Sequence, residues 1–268
     1  MLVIDAARVA KRGFTALRQR TARADPEFDE VKTWIDTIRD NGICVVPNFY
    51  SPSICEELRR AVLDTAERYP DAVHAASNGA DRRIFGAERA TAGINAFAEE
   101  PRLLNTARVV LGADAANALT LAATISYMDG NLGSGEGWHR DSFFNQFKAI
   151  VYLTDVTEEN GPFEYIIRSH LLRQKLSDSR RYGIPLHTRL DDSAVRNVIA
   201  AEPDRHRILT APMGTLILAD TTGIHRGMPL KRGQRFALTN YYLPGKAIGP
   251  QFSEYFSPVL GLHVPLRH

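Results

Sequence analysis

Five short segments between residues 119 and 243 constrain this chain most: LTLAATISYM, KAIVYLTDV, PFEYIIRS, GTLILAD and RFALTNYYL. All are rich in β-branched and aromatic residues, and the turn signals DGN, ENGP, PMG and KRG punctuate them. They therefore predict strands rather than helices. Strands this short and this closely spaced pack as a sandwich or a barrel.

The chain before them is helical in pattern. Residues 28–42 place Phe28, Val31, Trp34, Ile35 and Ile38 on one helix face, with Gly42 as a stop. ICVVPNF at 43–49 predicts a short strand. Ser51 is then the N-cap of a helix with Pro52 in its first turn and a buried stripe of Ile54, Leu58, Ala61, Val62 and Thr65. Residues 70–95 are weakly patterned and are expected to form a long loop, a candidate lid. Residues 171–207 interrupt the strands with a charged, partly helical insertion. The first 23 residues read as a basic amphipathic helix packed on the domain, with an apolar stretch too short for a membrane span or a secretory signal. The expectation is a single domain over 1–268: a mainly helical part to about residue 70, a β core over 119–243, and the insertion at its mouth.

Composition narrows the function classes. The 33 basic and 31 acidic residues nearly cancel, and no run of Lys and Arg is interleaved with aromatics, so nucleic acid is not an expected partner. Cys44 and Cys55 are the only cysteines among 268 residues, too few for a disulfide framework, and a reducing cytoplasm fits.

Within the strand region the triplet His139-Arg140-Asp141 is followed by His225 in the run GIHRG and then by Arg235. Side chains alternate along an extended segment, so the first and third residues of HxD reach one metal from the same side. A third ligand then comes from a distant strand. Two imidazoles and one carboxylate occupy one face of an octahedral iron(II) and leave the other face for cosubstrate and oxygen. A following arginine marks a dicarboxylate pocket, because a guanidinium is always charged and holds a carboxylate through two parallel hydrogen bonds.

WHRDSFFNQFKAIVYLTDVTEENGPFEYIIRSH followed by GTLILADTTGIHRGMPLKRGQRFALTNYY resembles the phytanoyl-CoA dioxygenase family of iron(II)- and 2-oxoglutarate-dependent oxygenases, and NGICVVPNFYSPSICEELRRAV is similar to that family's usual start. The resemblance implies a mainly β fold with a helical buttress, a double-stranded β-helix or jelly roll. It implies oxidative decarboxylation of 2-oxoglutarate to succinate, with O2 as second cosubstrate, coupled to hydroxylation of a small-molecule substrate. Desaturation, epimerisation or cyclisation use the same site. By position, His139, Asp141 and His225 match the iron triad, Arg235 matches the arginine that grips 2-oxoglutarate, and Trp138 stands where it would shield the iron. Halogenating relatives carry a small residue at the place of Asp141.

Two departures stand out. Gly227 occupies the place of a Ser or Thr that assists the arginine in many members, so Thr124, Ser126 and Tyr127 on the preceding strand are the candidates for that role. Ile167-Arg168 replaces the usual Pro-Gly before Ser169-His170. Arg140, Lys148, Arg168 and Arg226 crowd the site region and point to a polar or anionic substrate. His170 is expected to make a structural hydrogen bond. Two other classes fit parts of the pattern: a non-catalytic jelly-roll binding protein, and a zinc hydrolase, in which Arg235 lacks a purpose.

Overall fold

The computed structural model describes residues 29–75 and 79–248, and the basic N-terminal stretch, with Phe28, lies outside them. Antiparallel pairing throughout builds two sheets. The larger has seven strands in the order β1-β8-β5-β10-β4-β3-β2, and the smaller has three in the order β7-β6-β9. The strands are β1 (Ile43–Val46), β2 (Val73–Ala75), β3 (Asp81–Phe85), β4 (Ala115–Ser126), β5 (Phe147–Tyr152), β6 (Phe163–Ile166), β7 (His206–Leu209), β8 (Leu216–Asp220), β9 (His225–Gly227) and β10 (Gln234–Pro244). Facing sheets of this kind make the jelly roll expected from the sequence.

Alternation along the central strands sorts side chains between two cores. Phe147, Ala149 and Val151 of β5, Leu216 and Leu218 of β8, and Phe236 and Leu238 of β10 face a helical layer. Ile150 and Tyr152, Ile217 and Ala219, and Ala237 face the other way, against Phe163 and Tyr165 of the smaller sheet. Strands buried on both faces read as continuous apolar runs.

The helical layer is α1 (Asp29–Asn41), α2 (Pro52–Arg68), α3 (Ala92–Ala98) and α4 (Pro101–Leu111). Gly42 ends α1 in the left-handed region, φ 84°, its N–H donating to Ile38 O at 2.7 Å. β1 stops before Pro47, which has no N–H for a ladder. Ser51 caps α2 by accepting from Ile54 N at 3.4 Å. The buried stripe of α2 is Cys55, Leu58, Val62 and Thr65, so Ile54, expected inside, is exposed, and Ala61 is only partly covered.

Residues 70–95 are not a long loop. β2 and β3 extend the larger sheet beyond β4, and α3 begins at Ala92. β3 is paired on both sides, by β4 and by the short edge strand β2, but of its five residues only Asp81 and Ile84 are buried, so DRRIF lacks the usual apolar strand pattern. The sequence also left α4 unassigned, although Glu100-Pro101 opens it with a side-chain cap and a first-turn proline. The insertion holds α5 (Leu172–Tyr182) and α6 (Asp192–Ala201). It packs Ile184, Leu190, Val195 and Val198 against Trp138, Ile166 and Ile224 beside the smaller sheet. Among the described residues no helix is long and apolar enough to cross a membrane.

Candidate active site

His139 and His225 lie side by side because their backbones form an antiparallel bridge, His139 N to His225 O at 2.9 Å and His225 N to His139 O at 3.0 Å. Their ring centroids are 4.3 Å apart. Two residues on, Asp141 is fixed by its N–H on Thr221 O at 3.0 Å. Its carboxylate then sits 3.7 Å from His139 Nε2 and 3.6 Å from His225 Nε2. The three offer one ligand atom each, all within 4.8 Å of one another.

The tautomers are set from behind. His139 Nδ1 lies 2.8 Å from Gly137 O and His225 Nδ1 3.0 Å from Gly223 O. A carbonyl only accepts, so each Nδ1 carries the proton and each Nε2 presents its lone pair to the common point. Burial lowers the pKa of both imidazoles, that of His225 to about 3. Burial pushes Asp141 the other way, but the Lys148 ammonium at 2.7 Å overrides it and holds the carboxyl well below its ordinary range. Neutral imidazoles beside an ionised carboxylate are a ready donor set for a divalent metal. Gly135 makes room for it, since a Cβ there, at φ 87°, would stand 2.3 Å from His139 Cε1.

A cavity of about 280 Å³ opens on the triad and reaches Arg235. Arg235 is buried on β10 opposite Ile125 of β4, and its Nε and Nη1 have no hydrogen-bond partner. The Tyr152 hydroxyl is its hydrogen-bonding side-chain neighbour, and a fully buried guanidinium with most of its donors unpaired is costly; burial accordingly lowers its pKa. Such a group fits a carboxylate delivered by a ligand. The residues present thus suit both an iron(II) ion and a dicarboxylate.

The register settles other expectations against the sequence. Ile125 and Ala123 line the cavity with Arg235, which turns Thr124 and Ser126 to the opposite face; Ser126 Oγ accepts from Gln234 Nε2 at 3.1 Å there. Tyr127 is exposed and does not line the cavity. None of the three assists Arg235. Trp138 does not shield the triad either: it is buried among Ile166, Ile184 and Ile224, under the Arg226 guanidinium at 4.5 Å. Arg168 is exposed, outside the cavity lining, and Arg226 pairs with Glu164. Arg140 borders the cavity but sends its guanidinium towards the carbonyls of Pro185 and His187. His170 Nε2 contacts Arg39 O at 3.2 Å, a structural bond as expected. Its neighbour Ser169 accepts from Ile224 N at 2.7 Å and so steadies the segment that carries His225.

Sequence reasoning missed Arg83, Ser134, Tyr152, Phe163, Arg189, Thr239 and Tyr241, all of which line the cavity. Alternation from Arg235 along β10 would have found Thr239 and Tyr241. Arg83 and Arg189 come from segments whose placement no local pattern reveals.

The sequence model of the phytanoyl-CoA dioxygenase (PhyH) family matches residues 38–234. The chain belongs to that family. It is therefore an enzyme of the iron- and 2-oxoglutarate-dependent oxygenase class, an oxidoreductase that uses O2. None of the curated proteins compared matches the sequence. Among solved structures, the carbocyclase SnoK from nogalamycin biosynthesis superposes with a TM-score of 0.62 at 16% identity, over 83% of this chain and 87% of that one. The epimerase SnoN, solved with Fe3+, α-ketoglutarate and nogalamycin RO, gives 0.61 at 15% identity, over 82% and 84%. EctD from S. alaskensis with bound Fe gives 0.61 at 17% identity, over 78% and 75%. At these identities the likeness is one of fold.

Proposed function

We propose that this PhyH-family protein hydroxylates a small-molecule substrate, with His139, Asp141 and His225 holding iron(II) and Arg235 holding the distal carboxylate of 2-oxoglutarate. The observation that carries the reading is the placement, in one cavity, of a His-Asp-His cluster and a buried guanidinium whose Nε and Nη1 are unpaired among the described residues. Iron with 2-oxoglutarate and O2 supplies the oxidising power, decarboxylating the cosubstrate to succinate and CO2.

The residues supply position and dryness. Gly137 and Gly223 carbonyls lock the two imidazoles so that no reorientation is needed when metal arrives. Lys148 keeps Asp141 ionised and holds one of its oxygens, favouring ligation through the other. Arg235 is fully buried opposite Ile125, with the Tyr152 hydroxyl beside it, and in such a water-poor setting a charge-assisted bond to a carboxylate is strong. The insertion that buries Trp138 also brings Thr188 and Arg189 to the cavity, where it limits water access over the reacting centre.

Asp141 fills the coordination place that halogenation leaves open, which favours oxygen transfer to substrate. A zinc hydrolase gives the free donors of Arg235 no carboxylate to hold, and succinate formation separates the enzyme from a non-catalytic binder. We place the protein in the cytoplasm, in accord with its two buried free cysteines, and take the whole chain as one catalytic domain. The test is aerobic incubation with iron(II), 2-oxoglutarate and fractions of a metabolite pool. Substrate-stimulated succinate release, with a product heavier by one oxygen, is expected. Succinate release with a product lighter by two hydrogens would assign desaturation or cyclisation, and no succinate at all would end the oxygenase reading.

A further inference from the structure

Lys148 holds one oxygen of Asp141, but that contact accounts for its whole charge only while no metal is bound. It is buried on β5 as the cross-strand partner of Tyr241 on β10, with its ammonium 4.2 Å from the centre of the Tyr241 ring and 2.7 Å from Asp141 Oδ2. Without metal the ammonium and the carboxylate balance each other. Once a divalent cation takes Asp141, one carboxylate must serve two cations, and a buried ammonium short of counter-charge is costly.

Among the described residues no neighbouring carboxylate makes up the shortfall. Asp141 is the only carboxylate among the described residues lining the cavity. Asp81, just outside it, is engaged by Arg83 through two hydrogen bonds. Arg189 adds a further cation: it is exposed, bridged to His139, and donates through Nη1 to Gly135 O. The triad is thus flanked by Lys148 on its Asp141 side and by Arg189 on its His139 side. A dicarboxylate cosubstrate offsets the charge of the metal, and its far end is taken up by Arg235. The positive excess at Lys148 and Arg189 is left over.

Register separates the two ends. The cavity face of β10 carries Arg235, Ala237, Thr239 and Tyr241, and Lys148 pairs with Tyr241 while Tyr152 pairs with Ala237. At ~3.4 Å per residue, Arg235 and Tyr241 are about 20 Å apart along the strand. Lys148 therefore belongs to the end away from the cosubstrate's arginine.

Resting on the iron and 2-oxoglutarate reading, we propose that this end seats the substrate, and that the substrate is a compact molecule bearing a carboxylate or phosphate. Lys148 receives that anion from within and Arg189 from the rim, so Lys148 sets specificity. The cavity, about 280 Å³ in all, falls at the small end of ligand sites and must also admit the cosubstrate, which keeps the substrate small.

The test uses the full chain held anaerobically with saturating iron(II) and 2-oxoglutarate, read by the visible charge-transfer band of that complex. Acetate, benzoate and inorganic phosphate are the anionic probes; acetamide and benzamide are neutral counterparts. The anions should shift the band saturably and the amides should not. Response to phosphate alone marks a phosphate ester, and response to carboxylates alone marks a carboxylic acid. In Lys148→Met the half-saturating anion concentration should rise about tenfold or more, the loss of one charge-assisted bond, and in Arg189→Gln by less. Four results overturn the proposal: equal effects of anions and amides, no effect of either, anions that bleach the band by displacing 2-oxoglutarate, or an unchanged anion response in Lys148→Met. A Lys148→Met protein that forms no band at saturating iron shows that Asp141 keeps the ammonium for itself in the metal-bound protein, and also overturns the proposal. Absence of the band in the unsubstituted protein is a different result, the failure of the iron and 2-oxoglutarate reading itself.

Discussion

His139 and His225 are joined by two main-chain hydrogen bonds, at 2.9 and 3.0 Å, so their adjacency is made by backbone rather than by the imidazoles. His139→Ala should therefore leave the fold in place while removing a ligand. Equilibrium dialysis should show loss of stoichiometric iron(II) binding with an unaltered far-ultraviolet circular dichroism spectrum. Iron retained at one equivalent would remove His139 from the site.

Arg235 gives the less intuitive expectation. Its guanidinium is buried with Nε and Nη1 unpaired, so replacing it by a similarly sized apolar group relieves a cost in the ligand-free protein. Arg235→Met should melt at the same temperature or higher, yet raise the 2-oxoglutarate concentration for half-saturation by roughly 10- to 100-fold. A large fall in melting temperature would show that Arg235 has a structural partner.

Gly227 stands where the family resemblance leads one to expect a Ser or Thr, and space explains the glycine. A Cβ there would lie 2.9 Å from Ser134 Cβ and 3.3 Å from Arg235 Nη2. Gly227→Ser alone should weaken 2-oxoglutarate binding and cost about 1–3 kcal/mol from overpacking. Adding Ser134→Gly should recover most of both. Denaturant melts and cosubstrate titrations of the three variants check this, and a fully additive double variant would contradict it.

Acid should destabilise the metal-free protein. The folded pKa of His225 is about 3, below the unfolded value of ~6.5, and that of His139 is also lowered. At a pH below about 6.5 the unfolded chain binds protons that the folded chain refuses, so stability is full above that pH and is lost on acidification. The slope is roughly 1.4 kcal/mol per pH unit for each histidine kept neutral. Melting curves from pH 7 to pH 5 should show the fall, flattened in His225→Ala. A melting temperature that rises as pH falls would contradict the buried neutral imidazoles.

Much of the jelly roll was legible because its central strands are buried on both faces and read as unbroken apolar runs, as in KAIVYL and TLILAD. The triad and Arg235 were legible because their chemistry demands rare residue types at fixed places. What failed was register. Whether Thr124 or Ile125 faces Arg235 depends on how β4 pairs with β10, and a slip of one residue exchanges the faces. Trp138 failed for the same reason, its neighbours His139 and Asp141 pointing to the metal side while it enters the core of the insertion. β3 was illegible because a strand that opens with Asp81, Arg82 and Arg83 has no apolar alternation to show.

The most direct measurement of the central claim is an anaerobic titration of the metal-free protein with iron(II) and 2-oxoglutarate, for the unsubstituted chain and Arg235→Ala. A visible charge-transfer band that needs both additions, at one equivalent of iron, and that in Arg235→Ala needs far more 2-oxoglutarate, is the result predicted. No band with both present, or a band indifferent to Arg235, would contradict it.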